Sequence, residues 1–161
     1  LANGTTVSGQ HKITAKETRP LNQKITHLML SGPSSTLDLK NHALISSADL
    51  IVFPPGSFFS SVLANLLPKG VGKAISASAK PKVFIPNLGI DPELHDTSLI
   101  EQIELLNQTI NKDVTDGKET KAIDMVLTDS SLRSDIDKSF IDYLKKNGRR
   151  PESNTNENRL R

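Results

Sequence analysis

The turn after a continuous apolar run contains residue types that could bind a phosphate group. Pro54-Pro55-Gly56-Ser57 separates residues 49–53, an apolar run after one acid, from an amphipathic stretch at 58–67. This order is typical of a strand, a tight turn and a helix. The first N–H groups of a helix lack intrahelical partners, and the helix dipole adds about half a positive charge there. Gly56 would let the backbone approach a phosphate closely, and Ser57 is expected to cap the helix. The turn is therefore a candidate anion-binding site.

Hydroxyl and amide groups near this turn would complete the site. Ser60 and Ser61 add hydroxyl donors in the first helical turn. Because proline has no N–H, the backbone donors would be those of Gly56 and the next three residues. The turn is not a Walker loop, since no Lys-Ser/Thr pair follows the glycine, and a single glycine does not make a dinucleotide fingerprint. The alternative is a plain strand-to-helix turn with an N-cap.

More polar residues follow the next predicted strand. Asn87 is of a type that usually makes a turn, but if it faces the same crevice as Gly56 it could bind a ribose or phosphate oxygen. An acidic loop comes next, with Asp91, Glu93, His95 and Asp96. We interpret this loop as solvated and assign it no metal ligand, because its spacing fits no zinc motif. The alternative is a Mg²⁺ site made by one carboxylate and the phosphates of a substrate.

Composition excludes several classes of protein. The 161 residues suit one domain, or one domain and a tail. The absence of cysteine excludes a disulfide scaffold, a thiolate metal site and a cysteine nucleophile. No apolar run approaches the roughly 18 residues of a membrane span, and no signal peptide is recognisable. We therefore expect a cytoplasmic protein with no membrane partner.

The charge distribution argues against a nucleic-acid partner. The formal net charge is +2, and residues 147–161 account for all of it, with four arginines and two glutamates. The remainder, residues 1–146, is neutral, whereas a nucleic-acid binder would carry a basic patch on its folded body. We predict a folded domain at 1–146 and a disordered polar tail at 147–161.

Strands and helices are predicted to alternate after residue 49. Apolar runs predict strands at 49–53, 82–86 and 122–128, and helical spacing predicts helices at 39–48, 58–67, 71–78, 97–110 and 134–146. This alternation favours βαβ units and a parallel sheet covered on both faces, an α/β fold.

The start of the chain predicts a hairpin. Asn3-Gly4 favours a two-residue turn, residues 5–14 could be the return strand, and 25–30 reads as a further strand. Only two residues precede the turn, so we expect either a fragment of a larger domain or a first strand that lies in a partner.

Residues 48–67 resemble a block of a known family. They read ADLIVFPPGSFFSSVLANLL, which is similar to the AD-apolar-GPGS-x-x-TS-apolar-x-PNLL block of the family of 2-phospho-L-lactate transferase CofD and the bacterial gluconeogenesis factors. Val83-Phe84-Ile85-Pro86-Asn87 follows in the family's order, and Asn3-Gly4-Thr5-Thr6-Val7-Ser8-Gly9-Gln10 resembles its DGT-x-V-x-GE hairpin. Pro54 stands where the family usually has glycine. The resemblance covers roughly residues 1–128.

The resemblance implies a Rossmann-like, three-layer α/β fold with a mostly parallel sheet, of which residues 1–146 would be the C-terminal part. It implies a nucleotide ligand, GDP or a UDP-sugar, and Mg²⁺ held by an acidic residue of the N-terminal half. The implied binding residues are Pro55, Gly56, Ser57, Ser60, Ser61, Asn65 and Asn87.

The sequence is compatible with three functions. The favoured one is a nucleotide-binding regulator or transferase-related protein. The second is a transferase that moves a phospho-lactyl group from a guanylyl-activated donor to a deazaflavin. The third is a non-enzymatic interaction module. Expected partners are a nucleotide, a complementing N-terminal half, or further copies of the chain.

Overall fold

The computed structural model of the chain describes residues 1–14, 22–115 and 122–129. Three short strands, β1 (Ile51–Phe53), β2 (Lys82–Phe84) and β3 (Met125–Val126), form one parallel sheet in the order β1-β2-β3. The strands predicted at 49–53, 82–86 and 122–128 are thus confirmed, although each is shorter than its apolar run. Leu1–Thr128 form one compact unit, and the described helices include none that is long and apolar enough to cross a membrane.

The described residues also form four α-helices. They are α1 (Gln10–Ile13), α2 (Leu39–Ser47), α3 (Val71–Ala77) and α4 (Leu99–Asn111). The side chain of Asp38 accepts a hydrogen bond from the Asn41 N–H and so caps α2. A capping box between Ser98 and Glu101 starts α4. The predicted helices at 39–48, 71–78 and 97–110 are confirmed, because each has its cap or its apolar stripe within its own sequence.

The helix predicted at 58–67 differs in type. Phe58–Val62 form a π-helical turn and Leu63–Leu66 a 3-10 turn, which together we call the 58–66 helix. The carbonyl of Ser57 accepts hydrogen bonds from the N–H groups of both Ser61 (2.9 Å) and Val62 (3.1 Å), which widens the turn. Apolar spacing does not distinguish these hydrogen-bond patterns, and π-turns are frequent at functional sites.

The predicted N-terminal hairpin is wrong, although its turn is correct. The Leu1 ammonium donates to the carbonyl of Thr5, and Gly4 has a φ of 81°, so the chain does reverse at Asn3-Gly4. Beyond the turn, residues 5–9 form no strand and α1 follows. Residues 25–30 also form no strand, and only Ile25 among them is buried. Among the described residues, no strand lies beside these segments to complete their hydrogen bonds.

One face of the sheet is covered and the other is not. Phe53 and Phe84 point to the covered face and are almost fully buried. Val52 and Met125, on the opposite face, are 42% and 54% exposed. Among the described residues the expected cover on both faces is therefore absent. The predicted helix at 134–146 and the tail at 147–161 lie outside the described residues.

Close packing between α3 and α4 depends on a glycine. A Cβ atom added at Gly72 would lie 2.2 Å from the backbone carbonyl oxygen of Ile110. The apolar stripe of α4, formed by Ile103, Leu106 and Ile110, is buried in the core. The two helix backbones approach at a distance that only glycine permits.

Replacement of Gly72 by alanine should therefore destabilise the fold. We expect Gly72→Ala to lower the free energy of unfolding by about 2 kcal/mol, because the helices must move apart to admit the methyl group. Gly89→Ala is the control, since a Cβ there meets no atom within 4 Å. Urea unfolding of the two variants measures the difference, and equal stability would contradict the packing argument.

An ion pair joins the N-terminal segment to α4. The Lys24 ammonium donates to the Glu101 carboxylate, which also accepts the N–H of Ser98 (2.8 Å). The bond from Lys24, followed by that from Ser98, holds the pKa of Glu101 below its ordinary value of 4.5. The folded state therefore favours the ionised carboxylate.

This pair should make stability depend on pH in acid. A carboxyl group whose pKa is lowered in the folded state stabilises the fold at a pH above its ordinary pKa. This stabilisation is lost as the pH falls through the lowered pKa of the folded state. Lys24→Met should therefore cost about 0.5 kcal/mol at neutral pH, because the pair is partly exposed, and nothing in strong acid. Unfolding curves over a pH series measure this loss of stability. The control is Lys40→Met, at an exposed position of α2. A loss that stays constant into strong acid would exclude the pair as its cause.

Candidate functional site

The candidate site lies where β1 and β2 end. Phe53 pairs with Phe84 in register, so the loops that follow both strands leave the same edge of the sheet. The Asn87 side-chain amide donates to the Gly56 carbonyl at 2.8 Å. The expected juxtaposition of Asn87 and Gly56 is present, at the edge where α/β sheets bind their ligands.

Two buried carboxylates occupy the start of the 58–66 helix. Asp91 Oδ2 accepts the N–H of Phe58 at 2.8 Å. Glu93 Oε2 accepts the N–H groups of Phe59 and Ser60, each at 2.8 Å, and Glu93 Oε1 accepts the Ser60 hydroxyl at 2.5 Å. Glu93 is 1% exposed. These carboxylates are the anions that the helix N-terminus attracts, and they belong to the chain itself.

This arrangement corrects two expectations. The acidic loop was expected to be solvated, but Asp91 and Glu93 are buried, whereas His95 and Asp96 are exposed. Ser57 was expected to cap the helix, but its side chain makes no capping bond. The buried helix end needs acceptors for several N–H groups at once, and two carboxylates supply more of them than one hydroxyl.

The groups left for a ligand are fewer than the sequence suggested. Two of the four proposed backbone donors, those of Phe58 and Phe59, are taken by Asp91 and Glu93. Within the described ranges, the N–H groups of Gly56 and Ser57 have no hydrogen-bond acceptor. These two amides are therefore the donors that remain.

The other predicted residues differ in whether their polar groups already have a hydrogen-bond partner. Ser60 is bonded to Glu93, whereas the hydroxyl of Ser61 has no partner in the described part of the chain. Asn65 is exposed one turn further along and donates to the Ser61 carbonyl at 2.7 Å. Pro55 is exposed and offers no N–H.

The side chain of Asn87 has a fixed orientation. Its amide nitrogen donates to two acceptors, the Gly56 carbonyl and Asp91 Oδ2 (3.2 Å). Both N–H groups of the amide are thus used, and its carbonyl oxygen is left as an acceptor. A hydroxyl group fits this oxygen better than a phosphate does.

The acidic loop does not fit Mg²⁺. Asp91 Oδ1 accepts the N–H of Glu93 at 3.0 Å, so all four oxygens of the two carboxylates already hold hydrogen bonds within the chain. Among the described residues, no group of three His, Cys, Asp or Glu side chains could hold a metal ion. No step of chemistry is assigned to a metal at these residues.

Sequence reasoning missed the capping role of Asp91 and Glu93. One signal was available in the sequence. Asp91 and Glu93 follow β2, and β2 is the neighbour of β1, the strand that precedes the 58–66 helix. Loops after neighbouring parallel strands meet at one edge, where a helix N-terminus favours carboxylates.

Comparison with known proteins gives consistent matches. Residues 1–159 match the family described as "2-phospho-L-lactate transferase CofD". The chain is 31% identical over 110 residues to the gluconeogenesis factor of Bacillus subtilis, covering 67% of this chain and 33% of that protein. It is 37% identical over 89 residues to the gluconeogenesis factor of Halalkalibacterium halodurans, covering 55% and 26%. The chain therefore spans about a quarter to a third of the curated relatives' length.

A solved structure has the same fold. A UPF0052-family protein from Bacillus halodurans superposes with a TM-score of 0.62 at 23% identity, over 84% of this chain and 41% of that one. Together with the parallel three-stranded sheet, this likeness shows a Rossmann-like α/β fold.

The buried carboxylate of Glu93 should dominate the local stability. We expect Glu93→Ala to lower the free energy of unfolding by about 3 kcal/mol, because it leaves two backbone N–H groups unsatisfied in a buried place. Glu93→Gln keeps one acceptor oxygen and should cost about 1 kcal/mol. Glu104→Ala, at an exposed position of α4, is the control. Similar losses for Glu93→Ala and Glu104→Ala in urea unfolding would show that the capping contacts contribute little.

Proposed function

The chain belongs to the CofD family, and from that premise we propose that it binds a nucleotide or nucleotide sugar at the carboxyl ends of β1 and β2. The ligand's phosphate would accept hydrogen bonds from the N–H groups of Gly56 and Ser57. A ribose or sugar hydroxyl would donate to the side-chain carbonyl of Asn87.

The observation that carries this proposal is the hydrogen bond between Asn87 and Gly56. It brings the loops after two neighbouring strands together and leaves donors on one loop and an acceptor on the other. A phosphate needs donors and a hydroxyl needs an acceptor, so a phosphorylated sugar unit uses both kinds of group.

The carboxylates of Asp91 and Glu93 restrict where the phosphate could lie. They already neutralise the helix N-terminus and would repel a second anion placed at the same amides. The proposed position for the phosphate is therefore beside Gly56, upstream of the amides that the carboxylates hold.

A binding role in sugar metabolism is the form of this function that we favour. The curated relatives cited above are named gluconeogenesis factors. The family's name supports a second candidate, the transfer of a phospho-lactyl group from a guanylyl-activated donor to a deazaflavin. Turnover of such an acceptor by the intact protein would replace the first candidate with the second.

A pair of substitutions at one position tests the site. Gly56→Arg should weaken binding of GDP or UDP-glucose at least about tenfold, since its side chain would fill the space of the phosphate. Gly56→Ala is the matched control, because a Cβ there meets only Ser61 and Val62 atoms at 3.8 and 3.9 Å. Titration calorimetry on the intact protein from its own cells measures both variants.

Two results would contradict the proposal. One is that the wild-type protein binds neither GDP nor UDP-glucose. The other is that Gly56→Arg, with its thermal unfolding unchanged, binds as tightly as Gly56→Ala.

A further inference from the structure

The buried carboxylate of Asp91 holds two backbone N–H groups and the side chain of Asn87. Asp91 is 8% exposed. Its Oδ2 accepts the N–H of Phe58 at 2.8 Å, and its Oδ1 accepts the N–H of Glu93 at 3.0 Å. The same Oδ2 accepts the side-chain amide of Asn87 at 3.2 Å. Asn87 is therefore bonded to a side chain that two backbone groups already fix in place.

The surroundings of Asn87 determine which end of its amide is left for a ligand. The two groups that accept from its nitrogen are the Gly56 carbonyl and the Asp91 carboxylate, and neither can donate a hydrogen bond. An amide turned by half a rotation would place its own oxygen against both, with no hydrogen between them. The carboxylate therefore makes the reversed orientation of Asn87 costlier than the Gly56 carbonyl alone would.

The bond to Asp91 also strengthens the free end of the Asn87 amide. A hydrogen bond to an ionised acceptor is stronger than one to a neutral acceptor. Hydrogen bonds in a chain polarise one another, so an amide that donates to a carboxylate is a better acceptor at its carbonyl oxygen. Asp91 thus both orients this oxygen and increases its affinity for a donor.

We propose that Asp91 is a positioning residue, through which Asn87 selects ligands that carry a sugar hydroxyl near the phosphate. The ligand class is a nucleotide whose ribose or hexose, joined directly to a phosphate, has a free hydroxyl group. A deoxy analogue would leave the Asn87 oxygen without its donor and would bind more weakly. This role rests on the proposed function, since it needs the phosphate beside Gly56.

Paired ligands measure this selectivity in the wild-type protein. GDP is compared with 2′,3′-dideoxy-GDP, which lacks both ribose hydroxyls, and UDP-glucose is compared with UDP-2-deoxyglucose. Titration calorimetry on the intact protein from its own cells gives the ratio of the two Kd values in each pair. We expect a ratio of about ten in one pair, because one hydrogen bond is lost at a half-buried side chain. The pair that differs identifies the sugar that Asn87 contacts.

Two failures of this measurement are distinguishable. Equal affinities within both pairs would overturn the selectivity and leave nucleotide binding in place. Absence of binding by all four ligands would overturn the proposed function, and the role of Asp91 with it.

Substitutions at Asp91 test whether it acts through Asn87. Asp91→Ala should reduce the ratio to about two or less, because the amide of Asn87 loses its charged acceptor. Asp91→Asn keeps an acceptor oxygen and should restore most of the ratio. Asp113→Ala is the matched control, because Asp113 also accepts a backbone N–H, that of Gly70 at 2.7 Å, in the turn after α4.

The ratio separates positioning from a merely structural role. Loss of structure would weaken both ligands of a pair alike and leave their ratio unchanged. An unchanged ratio in Asp91→Ala, or an equal loss of the ratio in Asp113→Ala, would overturn the positioning role.

A substitution at Asn87 keeps the test decisive if Asp91→Ala does not fold. In Asn87→Asp the new side chain has oxygens for a hydroxyl but no N–H for Gly56 or Asp91, and the Asp91 carboxylate would repel it. We expect its ratio to fall to about two or less, as in Asp91→Ala. A ratio at or above the wild-type value would show that any acceptor at this position suffices, and would overturn the role of Asp91.

Discussion

The bonds between two buried carboxylates and the start of the 58–66 helix are the constraint on which the candidate site depends. A helix end buried in a loop region needs acceptors for its first N–H groups. Asp91 and Glu93 supply them from the next βα loop, more than thirty residues away in sequence. The same contacts hold Asn87 against Gly56 through Asp91. Two loops thereby become one arrangement of donors and acceptors.

This constraint changes the chemistry of the site. A helix N-terminus with open amides would be a simple anion site, but here the chain's own carboxylates satisfy it. What remains is the pair of amides at Gly56 and Ser57 and the carbonyl oxygen of Asn87. Such a mixture of donors and one acceptor suits a ligand with both a phosphate and a hydroxyl more than a bare anion.

The sheet supports this arrangement from one side only. Phe58 packs edge-on against Phe59 at 5.2 Å between ring centres and lies 6.1 Å from Phe84, so the covered face anchors the helix that starts the site. Gly72 lets α3 and α4 approach closely behind that layer. On the opposite face, Val52 and Met125 have no such layer over them in the part of the chain that the structure describes. Within the described ranges, side chains therefore pack against the sheet on the side of the candidate site.

The sequence by itself determined the elements whose signals are local. The apolar runs of β1 and β2, the caps of α2 and α4 and the Asn3-Gly4 turn all depend on residues within a few positions of one another. The family block at 48–67 also contains the loop of the candidate site, because its residues are contiguous. Only the tertiary structure decided that Glu93 is buried against the helix and that 58–66 is wound as π and 3-10 turns. These features depend on contacts between distant segments, and local spacing carries no record of which segments meet.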